Sequence, residues 1–292
     1  MRYRVGGVVA ATASAVLVAA CGSSHAAIDS SASTMSAAAA RASMAAAPTA
    51  RASAGTAPSE SGSATAGQGT LTVFAAASLK KTFTKLGATF EGQNAGSKVT
   101  FSFAGSSDLV AQLIAGNQAD VFASADTTNM NKATAANLVQ GNPVNFATNT
   151  LTIVVPPDNP GRIASFADLA KPGLALVVCA PQVPCGSAAK KLQAKIGTQL
   201  KPVSEESSVT DVLTKVTSGE ADAGLVYVTD AAGVGDKVKI INFPESEQVV
   251  NTYPIAVLKS SSHAALAKKF TVLITGSQGQ QVLKGAGFAP AP

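Results

Sequence analysis

The chain has 292 residues, with 22 lysines and arginines against 17 aspartates and glutamates, a formal net charge of +5. Four of the basic and two of the acidic residues precede residue 71, so the remainder carries 18 against 15, scattered and with few aromatics between them. That balance offers no basic stripe for a nucleic-acid backbone, and the three cysteines lack the second ligand pair of a zinc site.

The chain opens with Arg2 and Arg4, followed by apolar or small residues from 5 to 20. This is the layout of a secretory signal, shorter than the roughly 18 to 20 apolar residues that cross a bilayer. Cys21 follows Val18-Ala19-Ala20 and precedes Gly22, a pattern that resembles the lipobox of bacterial lipoproteins. The resemblance implies a signal peptide over 1–20 and a mature chain acylated at Cys21, held at the extracytoplasmic face of the cell membrane. The alternative is an ordinary signal peptide followed by an incidental cysteine. From 22 to 70 the chain is mostly Ala, Ser, Thr, Gly and Pro, with no Leu, Val, Phe, Tyr or Trp. Such a segment cannot offset the entropy of ordering, so 21–70 is expected to be a disordered tether. Its root-mean-square span is about 40 Å for a flexible chain.

From residue 71 onward, strand and helix patterns alternate. "LTVFAAA" (71–77) predicts a buried strand. Leu79, Phe83, Leu86 and Phe90 then recur at helical spacing. "KVTFSFA" (98–104) alternates like a strand, "SSDLVAQLIAG" (106–116) reads as a capped helix ending at Gly116, and "ADVFASA" (119–125) as another strand. Strands are expected over 151–155, 174–178, 223–228, 239–243 and 254–258, and helices over 163–170, 187–196, 209–218 and 263–274. The pattern is that of an α/β chain with largely parallel sheets. Segments 145–151 and 249–254 are the expected crossings between two halves. They divide the fold into 71–148 plus 252–292 and an inserted 149–251, with a hinge between. Cys179 and Cys185 lie six apart across "CAPQVPC". The oxidising compartment permits a disulfide there; two free thiols are the alternative.

Four strand-to-helix corners share one design: Ser78 in "FAAASLKK", Gly105-Ser106-Ser107 in "FAGSSDLV", Cys185-Gly186 in "PCGSAAKK", and Ser208-Val209 in "ESSVTDVL". Each helix start presents N–H groups without intrahelical partners and the positive end of a dipole. Several such ends aimed at one cleft make an anion site without charged side chains. Gly105 and Gly186 would let a ligand approach the backbone. For each serine alone, simple capping is the alternative. Asp126 and Asp230 follow strands near helix starts, where capping is the expected role, and an acid in the cleft would repel an oxyanion.

At these residues the chain resembles a known family. "VFAAASLKKTF", "FAGSSDLVAQLIAGNQADVFASAD", "AGLVYVTDA" and "QGQQVLKGAGF" are similar to the molybdate-binding proteins of bacterial ABC transporters, over essentially all of 71–288. The resemblance implies a two-lobed, periplasmic-binding-protein-like fold (type II) that closes on molybdate, and on tungstate, and delivers it to a membrane permease with its ATPase. It implies a monomer without catalytic residues, cofactor or free metal cation. Position by position, it places Ser78 and Ser106 as hydroxyl and N–H donors, Cys185 and Val209 as backbone N–H donors, and Tyr227 as a phenol reaching the ligand. Cys185 departs from the small non-thiol residue of many relatives; a backbone donor tolerates the change, and the sulfur would then be tied to Cys179.

Three other readings stand beside this one, of which a surface adhesin or structural lipoprotein would show no ligand-induced change in fluorescence or melting temperature. Another oxyanion, such as sulfate or phosphate, would use the same fold. A serine hydrolase would need a histidine at a corner, whereas His25 lies in the tether and His263 on a predicted helix. Lys80 and Lys81 read as an exposed helix face, unsuited to a serine–lysine pair.

Overall fold

In the computed structural model the described residues are 68–292. The expected signal peptide, Cys21 and nearly all of the tether lie outside them. Residues 69–70, assigned to the tether, instead begin the first strand.

In chain order the elements are β1 (Gly69–Ala76), α1 (Lys80–Gln93), β2 (Ser97–Ala104), α2 (Ser106–Ile114), β3 (Val121–Ala123), α3 (Thr127–Ala135), β4 (Val139–Asn149) and β5 (Leu151–Val155). Then come β6 (Leu176–Cys179), α4 (Pro184–Ile196), β7 (Ser204–Glu206), α5 (Val209–Thr217), β8 (Ala223–Tyr227), α6 (Val228–Val234), β9 (Lys239–Ile241), β10 (Asn251–Leu258), α7 (Ala264–Thr275) and α8 (Ser277–Gly285). Two five-stranded sheets result, ordered β2-β1-β3-β10-β4 and β7-β6-β8-β5-β9. No helix among the described residues is long and apolar enough to cross a membrane.

The expectation of largely parallel sheets is corrected. β1 pairs in parallel with β2 and β3, and β6 with β7 and β8, whereas β10 runs antiparallel to β3 and β4, and β5 to β8 and β9. The reason lies in the crossings. β4 ends at Asn149 and β5 begins at Leu151, so nearly continuous extended chain passes from one sheet into the other. The return strand β10 lies beside β4, with Asn251 opposite Asn149. Segment 145–151 is thus mostly strand. The helix expected over 163–170 is also corrected, to a single 3-10 turn at Ala167–Ala170. Asp168 Oδ2 accepts from the N–H groups of Ala164 and Ser165, both at 2.9 Å, and bends the chain before a helix can start.

In the first sheet, the stripe that the helical spacing marked on α1 is its buried face: Leu79, Phe83 and Leu86 are fully buried and Phe90 nearly so. Phe83 and Phe90 meet Phe270 of α7 at 6.0 and 5.4 Å between ring centroids, close to edge-on. On the other side, Leu109, Val110 and Leu113 of α2 and Met130 of α3 pack with Phe74 and Phe122. The second sheet is covered by α4 and α5, whose Leu192, Val212 and Val216 are buried with Val177 and Leu225. These faces fix the helices so that the starts of α2, α4 and α5 stand at strand ends.

Candidate oxyanion site

Ser78, Ser106, Cys185, Val209 and Tyr227 line one small cavity, together with Ala76, Ala77, Ala104, Gly105, Ala125, Val183 and Pro184. Its walls come from both sheets. Ser78 sits in the 3-10 turn Ala77–Leu79 that joins β1 to α1. Ser106 opens α2, and Val209 opens α5 behind Ser208, whose hydroxyl accepts from Asp211 N. Pro184 begins α4, and Cys185 follows it. Tyr227 ends β8 and caps α6. The amide N–H groups of a helix's first turn have no acceptor within the helix, so α2, α4 and α5 each bring donors and positive dipole ends to this space.

None of the lining residues is charged. Among the described residues no cluster of histidine, cysteine, aspartate or glutamate could hold a metal ion. The three hydroxyl residues are buried, Ser106 and Tyr227 to about 1% exposure. Ser106 Oγ accepts from Ala125 N at 3.0 Å. Tyr227 OH accepts from Asn251 Nδ2 at 3.0 Å, and Ser78 Oγ bonds Tyr253 OH at 3.1 Å. Burial, with nearby phenol and carboxyl groups, pushes the Tyr227 phenol well above its ordinary value, so it stays a neutral donor.

Cys179 and Cys185 are joined, with Cα atoms 5.7 Å apart. The bridge ties the first turn of α4 to the end of β6. The role expected for the two corner glycines is corrected in part. A Cβ on Gly186 would lie 2.0 Å from Ala180 O and 2.4 Å from Cys179 O, and one on Gly105 would lie 2.2 Å from Ser207 O. Both glycines admit neighbouring backbone, and Gly105 also lines the cavity.

Asp126 caps α3, its Oδ1 accepting from Asn129 N at 2.8 Å. Burial raises its carboxyl, and the Asn129 donors oppose the rise. Asp230 stands in the first turn of α6, where its carboxyl takes the Tyr227 N–H, but Oδ2 is buried without a partner. Burial pushes this acid up to about 7. His263 precedes α7 and packs against Gly69, at the opposite end of β1 from Ser78. Eight strand residues, about 25 Å, separate the two, and no described histidine reaches a corner serine. Asn251 and Tyr253, which hold two of the hydroxyls, were not singled out in the sequence. Their spacing in an alternating strand places them on one face, but nothing local marks that face as the one behind the cavity.

The family model for bacterial extracellular solute-binding proteins matches residues 71–289. The chain is 54% identical over 220 residues to the molybdate-binding protein ModA of Mycobacterium tuberculosis, covering 75% of this chain and 84% of that one. It is 32% identical to the protein of the same name from Escherichia coli, over 75% and 88%. Among solved structures, the periplasmic molybdate-binding protein of Azotobacter vinelandii superposes with a TM-score of 0.65 at 24% identity, over 76% of this chain and all of that one. The sulfate-binding protein SubI of Mycobacterium tuberculosis superposes at 0.63 with 21% identity, over 76% and 87%, which speaks for the fold alone. With that architecture, two sheets meeting at an uncharged cavity of helix starts, the chain belongs to the bacterial extracellular solute-binding proteins.

Proposed function

We propose that the protein captures molybdate, and tungstate, in the cavity between the sheets and delivers it to an ABC permease and its ATPase. The observation that carries this reading is the meeting of Ser78, Ser106, Cys185, Val209 and Tyr227, from both sheets, in a single space without charge. The names of the relatives supply the anion. A tetrahedral dianion leaving water needs many hydrogen bonds to replace its hydration, and charge-assisted N–H and O–H donors are the strong ones. Rigid donors also fix the cavity size, which separates molybdate from the smaller sulfate where charge cannot.

In this reading the lobes are 71–148 with 252–292 and 149–251, and they rotate about the paired strands at Asn149 and Asn251. Closure around the anion gives the permease a shape to recognise. The chain binds without converting its ligand, acts as a monomer, and is anchored through acylated Cys21 at the extracytoplasmic face of the membrane.

Calorimetry on the purified protein tests this. Molybdate and tungstate are expected to bind with dissociation constants of about 1 µM or below, and sulfate and phosphate at least about a hundredfold more weakly. Equal affinity for sulfate would transfer the protein to the sulfate-binding reading, and no heat with any of the four would end the oxyanion reading.

A further inference from the structure

We propose that Asn251 and Tyr253, two residues of β10 behind the cavity wall, are positioning residues that fix the direction of the Tyr227 and Ser78 hydroxyl hydrogens, so that both point at the anion. The inference rests on the reading of the cavity as an oxyanion site.

A hydroxyl can donate or accept. Toward an oxyanion the first attracts and the second repels, so a hydroxyl free to turn is a poor recognition group. At Tyr227 the direction is set by Asn251. The Asn251 Nδ2 lies 2.9 Å from Ala125 O and 3.0 Å from Tyr227 OH. A backbone carbonyl only accepts, which fixes the nitrogen end of the carboxamide at that place. The Tyr227 oxygen must then accept from it, and its own hydrogen is turned to another partner.

Tyr253 does the same for Ser78 at 3.1 Å. Either hydroxyl can donate in this pair; with Tyr253 as the donor, Ser78 accepts and its own hydrogen is left for the cavity. The Asn149 amide, whose Oδ1 accepts from Thr150 N at 3.0 Å and whose Nδ2 donates to Thr229 Oγ1 at 2.7 Å, also lies against the Tyr253 phenol. Tyr253 is fully buried and has no water to turn toward. Ser106 obeys the same rule through the Ala125 N–H. Ser106 and Tyr227 thus have their oxygens occupied from behind by nitrogen donors, and Ser78 has the Tyr253 phenol behind it.

Double-mutant cycles read by molybdate calorimetry test this. Tyr253→Phe keeps the ring and removes the donor, and is expected to weaken binding about tenfold. In a Ser78→Ala background the same change is expected to alter affinity less than about twofold, because the hydroxyl it orients is gone. The second cycle, Asn251→Leu with Tyr227→Phe, is expected to behave alike and serves if the first loses its fold in a thermal melt. Losses that multiply independently in the folded cycles would overturn the proposal, since a purely structural role costs the same in either background. If the unaltered protein gives no heat with molybdate, the functional reading fails instead.

Discussion

Gly105→Ala is expected to weaken molybdate binding by about a hundredfold while leaving the ligand-free melting temperature within a few degrees. Gly105 has φ −59° and ψ 138°, a conformation alanine adopts freely. The obstacle is across the cavity. The added Cβ would stand 2.2 Å from Ser207 O and 3.4 Å from a Val183 methyl, in segments leading into α5 and α4 on the second sheet. A carbonyl in the backbone cannot swing aside as a long side chain does. The corners must therefore separate by about 1 Å, and displacement on that scale costs on the order of a hundredfold where donors must meet a ligand. Gly186→Ala is the contrast, because its clash with Ala180 O lies within one sheet's own half; it should lower the melting temperature of the empty protein. Affinity for Gly105→Ala equal to that of the parent would show that the corners do not need this close approach.

Asp230→Asn is expected to stabilise the protein above pH 7 and to make little difference near pH 4. The Asp230 carboxyl is raised from 3.8 to about 7 by burial, only partly relieved by the Tyr227 N–H. Below pH 3.8 the acid is protonated folded or unfolded. Between 3.8 and about 7 the folded chain keeps a proton that the unfolded chain has released, so stability falls as the pH rises. The loss is about 1.4 kcal/mol per pH unit, on the order of 4 kcal/mol across the window, and is then constant. Asparagine never ionises and avoids the loss. Denaturant unfolding at pH 4, 6 and 8 measures the difference between the two proteins, from which the titration of shared groups cancels. A difference that stays flat with pH would show that Asp230 ionises in the fold as easily as in water.

The parts of this fold that could be read beforehand are those written in local chemistry. The stripe Leu79, Phe83, Leu86 and Phe90 marked the buried face of α1, and the corner residues marked the starts of α2 and α5, while α4 begins at Pro184, ahead of the expected 187. The same residue types that end a strand and begin a helix also line the cavity, so the resemblance and the capping pattern fell on one set of positions. What escaped was held by distant partners. α3 carries few apolar residues, and its buried Asn129 is used by the Asp126 cap. β4 contains Gly141, Asn142 and Pro143, residue types common in turns, yet β10 pairs along it from Asn149 to Val139 with irregular register. Asn251 and Tyr253 acquire their role only when that pairing brings β10 behind Ser78 and Tyr227.

One consequence of the tyrosine pair is optical. The chain has no tryptophan and three tyrosines, of which Tyr3 belongs to the predicted leader. Tyr227 and Tyr253 are thus the emitters of the folded part, 5.9 Å apart, the first lining the cavity and the second behind it. Occupancy should therefore change the intrinsic ultraviolet emission of the processed chain without any label, and Tyr227→Phe should leave a spectrum belonging to Tyr253 alone.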